Sequence, residues 1–307
     1  MRRPWIPAIV AAWATAATGC ELTTVEVTEA EEVVVAEVYL EAGATVQEAF
    51  LYTAFSGAGA DATGPVDGAD VRIVDPDGGT LRLEPVPRER CADSDSEAAA
   101  GLAGSCYASP ESASSEPFVR AGLRYELEIT LPDGRSLAGT TDVPGAFEIV
   151  DPAPPLCAVD SAYALSWTTA AGAWSYQAVA AFTDLRPGLE ALGVEDPPDT
   201  LDLLGLAVGA DTTITFPGEF GVFDRFTLER DLLLALQERL PAGAQARVVV
   251  AAGDRNYVNW VRGGTFNPSG QVRVPSIRGD GTGVFASLVS RERTLVTSED
   301  ESAPSCE

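Results

Sequence analysis

Short runs in which apolar and polar residues alternate recur along the chain, each bounded by Gly, Pro or Asp. Alternation puts every second side chain on one face and predicts half-buried β-strands. Val33 to Leu40 is the first such run, and Phe50 to Phe55 the second. The Gly/Ala/Asp stretch from Ser56 to Gly68 reads as loop. Ala69 to Val74, the turn Asp75-Pro76-Asp77-Gly78-Gly79, and Thr80 to Glu84 predict a hairpin. Arg124 to Leu131, the turn Pro132-Asp133-Gly134-Arg135, and Ser136 to Thr141 predict another. A third is expected from Tyr163 to Trp167, the turn Ala170-Ala171-Gly172, and Trp174 to Phe182. Thr212 to Phe216 and Ala246 to Ala252 complete the strands. Leu228, Leu232, Leu233, Leu236 and Leu240 instead share one helical face, so an amphipathic, core-covering helix is expected there, with Thr227 able to cap it.

These elements predict a mainly β protein of two immunoglobulin-like or fibronectin-III-like antiparallel β-sandwich domains, the second carrying the helix. Residues 33–145 form the first, at about 110 residues the size of an immunoglobulin-like domain. A Pro-rich linker spans 146–156, around Asp151-Pro152-Ala153-Pro154-Pro155, and 157–307 form the second domain. In the latter, Leu165-Ser166-Trp167, then Gly172-Ala173, then Ser175-Tyr176 resemble the first strands of a fibronectin type III domain, which implies a core role for Trp167. Arg88 to Pro117 is low-complexity and rich in Ala, Ser, Asp and Glu, and it reads as a segment without enough apolar area to order itself. Ser161 to Thr183 carries no charge, but polar and turn residues interrupt it, which argues against a membrane span.

Composition narrows the chemistry. The 307 residues carry a net charge of −26, and all 20 basic residues are Arg. No stretch is basic enough to track phosphates, so nucleic-acid binding is not expected. Without His there is no Ser-His-Asp triad and no HExxH zinc helix. Without Lys there is no Schiff base and no Walker lysine. Carboxylates, Tyr and Arg remain, and paired Asp/Glu are the groups that hydrolyse glycosides. No catalytic residue, metal ligand or cofactor is assigned. Asp75 and Asp77 lie in turn chemistry without a full calcium loop. Arg278-Gly279-Asp280 and Gly279-x-Gly281-x-Gly283 read as a tight connection entering a strand.

The N-terminus supplies an address. Arg2 and Arg3 precede a short apolar run from Ile6 to Ala17, the shape of a secretory signal. Ala17-Thr18-Gly19-Cys20 resembles the lipobox of bacterial lipoproteins, with Ala17 where that motif usually has Leu. The resemblance implies that residues 1–19 are a signal peptide, that Cys20 is lipidated, and that residues 20–32 form an acidic tether. Glu21 after the cysteine implies sorting to the outer membrane. In an oxidising compartment the other cysteines, Cys91, Cys106, Cys157 and Cys306, are expected to pair as disulfides. Three connectivities exist, and Cys91–Cys106 with Cys157–Cys306 is the one favoured here.

Three stretches together resemble an uncharacterised (domain-of-unknown-function) family of Gram-negative outer-membrane lipoproteins. They are Gly68 to Gly78, Tyr125 to Pro144, and a tail running from Tyr257-Val258-Asn259-Trp260 through Val274-Pro275 to Gly283-Val284-Phe285. The resemblance implies a lipid-anchored envelope protein without enzymatic activity, acting as a binding or assembly accessory. It also implies a TonB-dependent outer-membrane transporter as partner. The alternatives are a carboxylate-dependent glycan hydrolase and a structural or adhesive surface protein.

Overall fold

A computed structural model describes residues 32–55, 63–92, 101–111, 116–150, 156–158, 163–208, 211–216, 230–238, 241–261 and 273–298. The signal, nearly all of the tether, the linker prolines, Cys20, Cys306, Thr227, Leu228 and Leu240 lie outside these residues.

The protein is mainly β, as the alternating pattern predicts. Most strands belong to one 14-stranded mixed sheet, and a separate pair contributes Leu165 and Ile214 to the same core. In the N-terminal half, β1 (Glu32–Glu41) pairs antiparallel with β2 (Glu48–Phe55). The two-residue β3 (Gly64–Pro65) flanks β2. The expected hairpins are β4 (Asp70–Val74) with β5 (Thr80–Val86), and β7 (Arg124–Thr130) with β8 (Ser136–Asp142). Tyr125, Leu127 and Ile129 point inward while Arg124, Glu126 and Glu128 face water, so period-two patterning sets the register directly. The Asp75 turn spends its carboxylate on the backbone: Asp77 N and Gly79 N donate to Asp75 Oδ1 at 2.9 and 2.7 Å.

Arg88 to Pro117 departs from expectation. It holds α1 (Glu89–Ala92) and β6 (Ser105–Ala108), all four of whose residues are buried between β2 and β5. The Cys91–Cys106 disulfide is formed, with the Cα atoms 5.8 Å apart. Ser105-Cys106-Tyr107-Ala108 is a small apolar island within polar composition, and Tyr107 is fully buried, donating its hydroxyl to Val66 O at 2.6 Å.

In the C-terminal half, β11 (Ser175–Thr183) pairs with β12 (Leu201–Val208) and with β14 (Gln245–Gly253). The third hairpin does not form. The Ala170 turn is present, with Ala173 N donating to Ala170 O at 3.2 Å, but β10 (Tyr163–Ser166) pairs instead with β13 (Thr213–Phe216) in the separate two-stranded sheet. The turn thus carries the chain across the core, where Trp167 and Tyr176 lie with ring centroids 5.2 Å apart. The stretch 185–208 holds α2 (Arg186–Ala191) and β12. The expected helix is α3 (Arg230–Glu238), with Leu232 and Leu236 buried and Leu234 exposed. Among the described residues no helix is long and apolar enough to cross a membrane.

The sequence boundary at 146–156 separates the strands less cleanly than expected. After α4 (Arg255–Val261), β15 (Ile277–Gly279) pairs with β8, and β16 (Gly281–Ser298) runs through both halves. Its first part pairs parallel with β1, from Val34↔Gly281 to Glu41↔Leu288. Its second part pairs antiparallel with β14, beginning at Gly253↔Leu288. It also takes β9 (Leu156–Ala158) in parallel. The expected all-antiparallel arrangement therefore includes two parallel pairings. Gly283 permits the close entry of β16: its φ is +134°, and a Cβ there would overlap the Ala36 carbonyl oxygen.

Candidate functional site

β1 is buried on both faces, and the second face carries the unusual chemistry. Val34, Ala36, Val38 and Leu40 enter the main core. Val35, Glu37 and Tyr39 point the other way, into a second apolar layer with Phe50, Tyr52, Cys106, Trp260 and Val284. The disulfide closes this layer on one side, and Trp260 and Tyr257 of α4 lie over another part.

Glu37 lies inside this layer and is 2% exposed. The register sets it opposite Phe50 of β2 and Val284 of β16. Tyr39 donates its hydroxyl to Glu37 Oε2 at 3.3 Å, and Tyr52 donates to Oε1 at 3.4 Å. Arg273 Nη1 lies 3.5 Å from Oε1, and its guanidinium stacks over the Trp260 ring at 4.8 Å. Burial first, and the Glu37 charge second, push both tyrosine hydroxyls well above the ordinary phenol range. The edge of Tyr257 meets Tyr39 at 6.1 Å, and its hydroxyl donates to Gln177 Oε1 at 2.5 Å.

A second buried carboxylate sits where β16 passes from one half to the other. Asp254, 3% exposed, caps α4: Tyr257 N donates to Oδ1 at 2.8 Å. Ser287 N donates to the same oxygen at 3.3 Å, and Thr141 Oγ1 donates to Oδ2 at 2.8 Å. The Ser287 and Thr141 hydroxyls are 2.8 Å apart. Helix, β8 and β16 thus meet on one side chain. Burial raises the Asp254 carboxyl above its ordinary value, and the hydrogen bonds oppose that shift without reversing it.

Of the residues singled out from sequence, Cys91 and Cys106 come together here. Cys157 lies on β9, opposite Thr297, and its proposed partner Cys306 is outside the described residues, as is Cys20. Asp280 is held in the connection before β16, its Oδ2 accepting from Ser136 N at 2.9 Å. Glu37, Arg273 and Asp254 were not singled out. A signal existed for Glu37, the lone charge in the apolar run Val33 to Leu40. Among the described residues, no group of three or more Cys, Asp and Glu is placed to hold a metal ion. A cavity of about 180 Å³ lies beside Gln47, Ser109 and Phe118. Gln47 there is committed to Glu41, its amide oxygen accepting from Glu41 N at 3.0 Å and its amide nitrogen donating to Glu41 O at 2.9 Å.

No protein-family model matches the chain. No curated protein matches it either. Among solved structures, it is similar to a DUF4785 family protein from Legionella pneumophila, at 12% identity and a TM-score of 0.21, over 71% of this chain. The chain spans about half of that structure's length (51%).

Proposed function

We propose that the chain is a lipid-anchored protein of the outer membrane that works as a binding or assembly accessory without chemistry of its own. Lipid on Cys20 is its anchor, and a TonB-dependent transporter is the partner to test first. The observation that carries the non-catalytic reading is the use made of the buried carboxylates. Glu37 holds two tyrosine hydroxyls and a guanidinium, and Asp254 caps a helix and ties two strands. A glycosidase needs a carboxyl pair flanking a cleft that admits substrate, whereas these two lie under side chains, each at most 3% exposed.

An immunoglobulin-like character for each half belongs to the same proposal. In both, a buried tyrosine hydroxyl ties back to backbone shortly before its strand: Tyr125 to Phe118 O at 2.9 Å, and Tyr176 from Ala170 N at 2.7 Å.

The test is affinity capture from mildly solubilised native membranes, with a Cys20→Ala chain in parallel. The reading expects one transporter to co-purify stoichiometrically with the anchored chain and to be depleted with Cys20→Ala. Isolation of both forms alone would remove the accessory role.

A further inference from the structure

β12 ends the sheet. One of its edges is hydrogen-bonded to β11, and among the described residues no strand pairs with the other. An eight-residue edge to which no described strand bonds is a template for another strand, and natural sheets usually blunt such edges with charge, proline or a bulge. Asp202 is the one charged residue in β12, and proline is absent from it. The inward residues Leu203 and Ala207 are buried. Outward, Leu204 lies in register with Val179 of β11 and, through it, with Val249 of β14, and all three are half-buried. Leu206 beside them is 38% exposed. That edge therefore adjoins an aliphatic strip.

Charge selects the occupant. Between Asp184 and Asp211 the chain has seven carboxylates and one cation, Arg186, which pairs with Asp196 at 3.3 Å. A second copy would bring the same acidic segment against itself, in a chain already at −26. We infer that the β12 edge receives an extended segment of a partner protein that is aliphatic on one face and carries Arg or Lys at its ends. That segment joins the sheet as an added strand. Its aliphatic side chains lie along Leu204 and Leu206, and a cation at its end answers Asp202, which shares that outward face, and the acidic turn before it. The inference rests on the accessory reading and gives its partner a chemistry.

The probe is a synthetic peptide matching β12 in length, with alternating valine and threonine flanked by arginine at both ends, added to the full Cys20→Ala chain. Two comparison peptides replace arginine by glutamate, or N-methylate alternate backbone amides so that one strand edge cannot bond. Binding is read by fluorescence anisotropy, and its place by amide hydrogen exchange. The arginine peptide is expected to bind and to slow exchange across Leu201–Val208. The glutamate and N-methylated peptides are expected to fail. Leu206→Lys protein, with unchanged thermal unfolding, should bind about tenfold more weakly. Equal binding of the N-methylated peptide would reduce the effect to charge alone and overturn the inference. Protection outside β12 would do the same, as would concentration-dependent protection of β12 without peptide, which would make a second copy the occupant. A membrane partner still captured by Leu206→Lys protein would sink the edge assignment and leave the accessory role standing. Peptide binding with no captured partner would do the reverse.

Discussion

Glu37 and Asp254 show how differently two buried carboxylates are handled. Around Glu37 the phenols bear the consequence. Their pKa values lie above the ordinary 10.0 because burial, and then the neighbouring charge, penalises the phenolate. A group whose folded pKa is raised contributes stability fully below its unfolded value, and that stability is lost as pH climbs through the folded one. Tyr39 and Tyr52 should therefore stay protonated in the folded protein beyond about pH 10, where an exposed tyrosine titrates. Absorbance titration near 295 nm checks this. Glu37→Gln should lower both phenol pKa values without restoring the ordinary one, since burial is the larger cause. The same linkage applies to Asp254, whose carboxyl is raised above 3.8 by burial. Its contribution is complete at acid pH and declines as pH rises through the folded value. Asparagine can accept from Tyr257 N and donate to Thr141 without ionising. Asp254→Asn should therefore change the melting temperature little near pH 4 and raise it relative to wild type near pH 7. A constant difference across that range would contradict the assignment.

At the scale of elements, alternation was readable in several strands with one face toward water. β4, β5, β7 and β8 follow directly from their patterns and turn residues. Alternation failed where burial is brief. β6 shows this: four buried residues inside polar composition carry too short a signal to stand out. The third hairpin failed for another reason. Its turn was identified, but a turn fixes chain reversal and not which sheet each arm joins. The disulfide, expected from compartment and spacing, ties α1 to β6 across a separation of 15 residues. In the chain-entropy model, a loop of that size is worth about 3 kcal/mol. Replacing Cys91 and Cys106 together by serine should lower the unfolding free energy by about that amount, measured from urea midpoints. Much of this loss should appear as faster exchange at β6 amides, since the second apolar layer loses its closing side.

For the whole molecule, the sequence pattern revealed two β-rich halves but not the strand they share. Local alternation reports one buried face, whereas β16 is buried on both faces from Val284 to Val289, and nothing in that apolar run says which neighbours flank it. Those neighbours are β1, more than 200 residues earlier in the chain, and β14. Residues 33–145 therefore lack the strand that covers one edge of β1, and they lack β15 beside β8. Val284, Phe285 and Ala286, all fully buried, are missing from them as well. Exposing the β1 edge and that apolar surface removes more than the marginal stability of a domain this size can absorb, roughly 5–15 kcal/mol. A chain of residues 33–145 made alone should be unfolded or aggregated, with no cooperative thermal transition. A peptide of residues 273–290 supplied in trans should restore a transition, because it carries β15 and the β1-pairing part of β16. The full-length chain, locked across both halves by one continuous strand, should melt in a single transition by calorimetry and by circular dichroism. Independent melting of residues 33–145 would show that the shared strand joins two self-sufficient domains instead of completing one cooperative structure.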